Sequence, residues 1–87
     1  MKGNEMEKTE LQIIIERLLA MKADRHLGQQ VRRFDQYGIP VCQVTYRSAS
    51  DLYIVERFNS AVSTEFDQID LAAIEIYESI SEFKSIF

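Results

Sequence analysis

The hydrophobic residues near the start of the chain repeat with the period of an α-helix. They are Leu11, Ile14, Ile15, Leu18 and Leu19. This spacing of i, i+3, i+4, i+7 and i+8 is typical of one apolar stripe on an amphipathic helix. Thr9 and Gln12 precede the stripe in the arrangement of a capping box. The pattern predicts a helix over residues 9–22, which needs another element to cover its stripe.

A second helical stripe lies near the other end of the chain. Its members are Ile69, Ala73, Ile76, Tyr77, Ile80 and Phe83. The residues predicted on the solvent side are Glu75, Glu78 and Glu82. Asp67 and Asp70 stand where a helix begins and Lys84 near where it ends, as the helix dipole favours. The pattern predicts a helix over residues 68–83.

The middle of the chain has the pattern of short β-strands separated by turns. The predicted strands are 31–36, 39–47, 52–58 and, as a short fourth strand that the pattern leaves open, 62–66. Tyr37-Gly38 has the form of a tight hairpin turn, since glycine readily takes a positive φ. Pro40 suits the start of a strand or a sheet edge because it has no N–H to donate.

Alternation along the strands predicts which side chains face inward. In the second strand the more apolar set is Cys42, Val44 and Tyr46, and we expect this set to face the core. In the third strand the two sets are Leu52, Ile54, Glu56 and Phe58 on one face and Tyr53, Val55 and Arg57 on the other. Neither set is cleanly polar, so the pattern leaves the facing of this strand open.

The predicted order is α-β-β-β-(β)-α. Antiparallel hairpins between terminal helices indicate an α+β two-layer sandwich, with a three- to four-stranded sheet and both helices packed on one face. We expect residues 1–8 to form a flexible N-terminal extension and residues 9–87 a single domain. Two helices on one face leave the other face of the sheet uncovered, which makes it a candidate contact surface.

Composition narrows the functional classes. The 87 residues carry a net charge of −4, with the basic residues concentrated in the middle and the acidic residues in the last third. This balance disfavours a generally basic nucleic-acid binder. The single cysteine, Cys42, allows no internal disulfide and favours a cytoplasmic location. Met1–Glu10 has no apolar run typical of a signal peptide, and no segment predicts a membrane span.

The residue types needed for catalysis are sparse. His26 is the only histidine, and a nucleophilic pair would need Cys42 beside it, oriented by a group such as Asp24. One cysteine and one histidine do not complete a tetrahedral zinc site. Three glycines provide no phosphate-binding loop, and the acidic residues around the second helix have ordinary helical roles. We therefore expect a non-enzyme with no catalytic, cofactor or metal site.

The C-terminal segment resembles the ending of the YkuJ-like family of small bacterial proteins. Phe66–Glu78 has the pattern F-D-x-I-D, three residues, then I-E-I-aromatic-E. The hairpin Tyr37–Tyr46 resembles the middle section of that family, and the resemblance covers roughly residues 11–83. The chain departs from the family in its acidic N-terminal extension and in Arg57, where an apolar residue would fit a strand better. The resemblance implies a small α+β fold with a sheet between terminal helices, and it implies no activity.

Two functions are compatible with these patterns. The first is a module that binds another protein or associates with itself. A homodimer is one form that self-association could take. The candidate contact residues of this module are Arg32, Arg33, Tyr37, Tyr46, Tyr53, Arg57 and Phe58. Aromatic residues and arginine are favoured at protein interfaces. The alternative is a weak binder of RNA or single-stranded nucleic acid that uses the same sheet arginines and aromatics for phosphate contact and stacking.

Overall fold

The computed structural model describes residues 8–86 of the chain. Its elements are α1 (Glu10–Ala23), a short 3₁₀ turn (Arg25–Leu27), β1 (Gln30–Gln36), β2 (Ile39–Arg47), β3 (Leu52–Arg57), β4 (Val62–Phe66) and α2 (Ile69–Ile86). The fourth strand forms, and α2 continues three residues beyond its predicted end. Apart from Lys8, the predicted N-terminal extension lies outside the described residues.

The capping box at the start of α1 forms as predicted. The Gln12 N–H donates to the Thr9 hydroxyl at 3.1 Å, and the Thr9 N–H donates to the Gln12 side-chain oxygen at 2.8 Å. These bonds satisfy two backbone donors that a helix start would otherwise leave unpaired. The hydrogen bonds of the capping box therefore fix the start of α1 directly after Thr9.

The end of α1 is bonded by Gln30, which lies one residue before the predicted strand 31–36. Gln30 begins β1 and is buried, and its amide nitrogen donates to the carbonyls of Met21 at 2.7 Å and Asp24 at 3.1 Å. The last carbonyls of a helix have no partner within the helix, so this side chain satisfies the Met21 carbonyl from the neighbouring strand, whereas the Asp24 carbonyl also accepts the Leu27 N–H at 2.9 Å. The contact joins the helix end to the edge of the sheet.

The four strands form one antiparallel sheet in the order β1-β2-β3-β4. Tyr37 and Gly38 join β1 to β2 with φ values of 57° and 74°, as a two-residue type I′ turn requires. A tyrosine in this left-handed conformation is uncommon. Its ring centroid lies 6.2 Å from that of Phe83, so the turn also contacts α2.

Strand pairing resolves the facing of β3. Tyr46 pairs with Tyr53, and Cys42 pairs with Arg57, so Tyr53, Val55 and Arg57 face the same side as the inward set of β2. Both helices lie on this side. The Tyr53 hydroxyl donates to the Leu18 carbonyl of α1 at 2.8 Å, and Arg57 donates to Glu75 of α2 at 2.7 Å. The predicted two-layer α+β architecture is confirmed.

The core fills the space between the helices and this side of the sheet. Its most deeply buried members are Leu18, Met21, Cys42, Val44, Tyr46, Tyr53, Val55, Ala72, Ala73 and Ile76. The predicted stripe of α1 was wrong at one position, because Leu19 is 50% exposed while Met21 is only 1% exposed. Two successive alanines in α2 carry little side-chain volume, which lets that helix approach its neighbours closely.

Candidate interaction face

The sheet presents a second side that no described helix covers, called here the open face. Strand pairing places these residues on it: Val31, Arg33, Gln43, Thr45, Leu52, Ile54, Glu56, Ser63 and Glu65. Ile54 lies in the middle between Thr45 and Glu65 and is only 8% exposed. The open face is therefore mixed in character, and its exposed apolar surface lies towards the margins.

One margin of the open face holds a shallow groove. Arg33, Pro40, Gln43 and Phe58 line it, and its volume is about 350 Å³. Phe58 follows β3 and is held against β2 by a backbone bond from its N–H to the Val41 carbonyl at 3.1 Å. Phe58 is 48% exposed, and it is the larger of the two apolar side chains that line this groove.

Polar groups beside the groove are already oriented. The Arg33 guanidinium bonds Asp35 at 3.0 Å, and the arginine side chain is 58% exposed. The Gln43 amide donates to Glu56 at 3.0 Å across β2 and β3. An exposed ion pair of this kind contributes little to stability, so Arg33 keeps its charge close to solvent at small energetic cost.

Two of the predicted contact residues belong to the core, and their assignment to a contact surface was wrong. Tyr46 and Tyr53 are each 1% exposed, with ring centroids 4.8 Å apart. The Tyr46 hydroxyl donates to Asp51 at 2.7 Å, and this bond is the main reason that the pKa of the Asp51 carboxyl is lowered. Burial raises the pKa of both tyrosines. Tyr46 belongs to the inward set of β2. Tyr53 is its cross-strand partner in β3, so both side chains point to the helix side of the sheet.

The remaining predicted contact residues are dispersed. Arg33 and Phe58 line the groove, but Arg32 pairs with Val44 and so points to the helix side of the edge strand β1. Tyr37 lies at the hairpin turn against Phe83. The structure therefore does not bring the arginines and aromatics onto one face, which a stacking platform for single-stranded nucleic acid would require.

Arg57 lies at the helix side of β3 and is surrounded by acidic groups. Its side chain is 15% exposed and contacts Glu75 at 2.7 Å, Glu82 at 2.8 Å and Glu78 at 4.0 Å. The hydrogen bond to Glu75 is the main cause that raises the pKa of Arg57. The prediction that these glutamates lie on the solvent side was wrong for Glu75, because this pairing draws it to 19% exposure.

The possible nucleophilic pair does not form. Cys42 is fully buried on the inward side of β2, whereas His26 is exposed in the 3₁₀ turn. Burial raises the pKa of the Cys42 thiol to about 11. A thiol that stays protonated is a poor nucleophile. Within residues 8–86 no group of three metal-ligating side chains is found.

This burial leads to a testable expectation for Cys42. In the folded protein at pH 8 the thiol is expected to react with Ellman's reagent at least about 100-fold more slowly than in urea, because both access and thiolate formation are suppressed. The pKa is raised from 9.0 to about 11, so the stabilisation that comes from the protonated thiol is complete below pH 9 and is lost as the pH rises towards 11. Equal rates in the folded and unfolded protein would contradict the burial.

Comparison with known proteins agrees with this architecture. Residues 14–80, more than half of the chain, match the family described as protein of unknown function (DUF1797). The chain belongs to this family. It is also similar to the x-ray structure of the YkuJ protein from Bacillus subtilis, with 26% identity and a TM-score of 0.75. That match covers 82% of this chain and 96% of the YkuJ chain. The predicted YkuJ-like resemblance is confirmed.

The similarity to the YkuJ structure supports the fold, and the description of the DUF1797 family assigns no biochemical role. No curated protein matches the chain. Among the described residues, no helix has the length and apolar character needed to cross a bilayer. The groove beside Arg33 and Phe58 would have been difficult to find from sequence, because Pro40 was notable only as a strand start or sheet edge and Gln43 was not among the candidate residues. Their proximity to Phe58 depends on the pairing of β2 with the segment after β3.

Proposed function

We propose that this chain is a non-enzymatic protein-interaction module of the cytoplasm, and that the groove on its open face receives another protein. The observation that supports this proposal most directly is the half-exposed ring of Phe58 beside the exposed Arg33 guanidinium, in a groove of about 350 Å³. Aromatic residues and arginine contribute disproportionately to binding energy at protein interfaces. The free thiol of Cys42 is compatible with a reducing compartment.

The chemistry of the groove favours one kind of partner segment. Phe58 and Pro40 offer apolar contact, so they favour a partner that inserts an aliphatic or aromatic side chain. Arg33 is already paired with Asp35, yet a guanidinium has five N–H donors and can bond a second carboxylate. The proposed ligand is therefore a protein segment with an apolar anchor next to an acidic residue.

Site-specific photo-crosslinking tests this function. A photoreactive phenylalanine analogue at position 58 is expected to capture a discrete protein partner in cells, whereas the same analogue at Tyr77 of α2 is not. Tyr77 is a matched control because it is 39% exposed, close to the 48% of Phe58, but it belongs to the helix layer. Capture from position 77 alone, or from neither position, would refute the groove as a docking site.

A binding measurement then tests the two anchors. Once a partner has been captured, Phe58→Ser is expected to weaken its binding to the purified chain about tenfold or more, because an aromatic anchor is removed from the groove. Arg33→Ala is expected to weaken binding less, with most of the effect at low salt. Tyr77→Ser is the control and should bind as the unmodified protein does. Isothermal titration calorimetry provides the dissociation constants.

A further inference from the structure

The two edges of the sheet differ in how well they are protected against pairing with another strand. At one edge, β1 contains a register shift between Phe34 and Asp35. It also carries the charged residues Arg32, Arg33 and Asp35. Bulges and charges are the features by which natural sheets prevent edge-to-edge association. The β1 edge is therefore protected.

The opposite edge has no register shift and carries only one charged residue. Among the described strands, β4 pairs only with β3, in five consecutive pairs without interruption. Its sequence, VSTEF, is rich in residues with high β-propensity and contains one charged residue, Glu65. Val62 is 46% exposed at its start. A regular strand with free backbone groups along one side is a template for a further strand.

We propose that a second copy of this chain pairs with this edge, β4 against β4, in antiparallel orientation about a two-fold axis at Thr64. Pairing residues whose numbers are symmetric about 64 sets Val62 against Phe66 of the second copy, Ser63 against Glu65, and Thr64 against Thr64. Each of the first two pairs occurs twice because the axis repeats it. The product is a continuous eight-stranded sheet with the helices of both copies on the same side.

The side chains of β4 are self-complementary in this register. A β-branched residue opposite an aromatic ring and a threonine opposite a threonine are favourable cross-strand pairs, and no like charges oppose each other. In the dimer, the exposed Val62 would lie beside Phe66 of the second copy. Both side chains are on the helix side of the sheet, where Phe66 packs against the core of its own copy. Antiparallel pairing of β1 with a second β1 about an axis at Arg33 would set the two copies of Arg33 against each other. The register shift between Phe34 and Asp35 would also interrupt that pairing. The pattern therefore favours a second copy at β4.

This inference goes beyond the proposed docking groove and does not depend on it. The groove lies at the margin formed by β1, β2 and the segment after β3, whereas the dimer edge is β4. A two-fold axis perpendicular to the sheet would join the two open faces into one surface with two grooves. The module would then be bivalent, which increases avidity for a partner that carries two binding segments.

Charge substitutions at position 63 test the register. Ser63 and Glu65 are both exposed on the open face, so substitutions there leave the core intact. In the dimer, Ser63→Glu would place a glutamate opposite Glu65 of the other copy at two symmetric positions. This variant is expected to weaken dimerisation about fivefold to tenfold. Ser63→Lys would place a lysine opposite Glu65 and is expected to strengthen dimerisation by a similar factor. Adding Glu65→Lys to Ser63→Glu restores opposite charges and is expected to recover dimerisation. Sedimentation velocity of the full chain from micromolar to millimolar concentration gives the dissociation constants.

Two controls separate the interface from other effects. Ala20→Glu adds the same charge on the exposed side of α1 and is expected to dimerise as the unmodified chain does. Ser63→Glu also faces Glu56 within its own chain, so thermal unfolding at low concentration must show that each variant is folded. The recovery by Glu65→Lys is decisive because that change leaves Glu56 in place.

The outcomes distinguish this inference from the proposed function. The order Ser63→Lys, unmodified chain, Ser63→Glu from tightest to weakest, with recovery in the double variant, supports pairing at β4. A monomer at every concentration overturns it, as does a dimer that is indifferent to position 63. Loss of the dimer in Arg33→Ala, which changes the groove at β1 and leaves β4 untouched, would move the interface to the groove and would also overturn it. Failure of the crosslinking experiment affects the groove alone.

Discussion

Replacing Leu18 by alanine is expected to lower the free energy of unfolding by about 3–4 kcal/mol, the range typical of a fully buried leucine whose removal leaves a cavity. Leu18 is 0% exposed and belongs to the core cluster that α1, α2 and the sheet form together. Its backbone carbonyl also accepts the Tyr53 hydroxyl, so a shift of the helix into the cavity would disturb that bond as well. Urea unfolding followed by circular dichroism measures the change.

The neighbouring leucine provides a matched control. Leu19 carries the same side chain one position along α1 but is 50% exposed. Leu19→Ala is expected to change the free energy of unfolding by about 0.5 kcal/mol or less, since surface substitutions rarely do more. The sequence stripe treats both leucines as core positions. Similar losses of unfolding free energy for the two variants would therefore contradict the burial of Leu18 and the exposure of Leu19.

Replacing Arg57 by alanine is expected to lower the free energy of unfolding by about 2 kcal/mol. Removing one partner of a buried ion pair costs about 3–5 kcal/mol. The smaller value here follows from partial exposure, since the side chains of Arg57 and Glu75 are 15% and 19% exposed. The loss arises because Glu75 would remain beside the core without its cation. Urea unfolding at neutral pH is the measurement.

A double-mutant cycle isolates this pair. If the cost of Arg57→Ala comes from the unpaired carboxylate, then adding Glu75→Ala should recover part of it, with a coupling energy of about 1–2 kcal/mol. Arg33→Ala is the control, because the Arg33 and Asp35 side chains are 58% and 40% exposed and their pair should contribute about 0.5 kcal/mol or less. Strict additivity in the Arg57 cycle would show that the ion pair does not hold β3 to α2.

Arg57 also shows why the sequence pattern was incomplete. Arg57 in one set of β3 residues and Glu56 in the other left the facing of this strand open. Glu75 and Glu82 lie 18 and 25 residues further along the chain, and both bond the Arg57 guanidinium. Periodicity along α2 shows only that the glutamates avoid the centre of the apolar stripe. It carries no information on which strand lies beside them.

The candidate groove was predictable only in part. The expectation of an uncovered sheet face followed from counting two helices against one sheet, and Arg33 and Phe58 were among the candidate contact residues. Tyr46 and Tyr53 were included with them because aromatic type alone does not distinguish an interface residue from a core residue. The cross-strand partners of Tyr46 and Tyr53, and hence their position beneath α1, required the register of β2 with β3.

The sequence by itself determined the features that depend on residues within one or two turns of each other. These are the capping box at Thr9, the hairpin turn at Tyr37 and Gly38, the order of helices and strands, and the apolar stripe of each helix apart from Leu19 and Tyr77, which are exposed. Tertiary structure alone decided the facing of β3, the pairing of Arg57 with α2 and the position of Phe58 in the groove. Backbone hydrogen bonding and side-chain periodicity act locally, whereas burial and ion pairing depend on which distant segments share the same space.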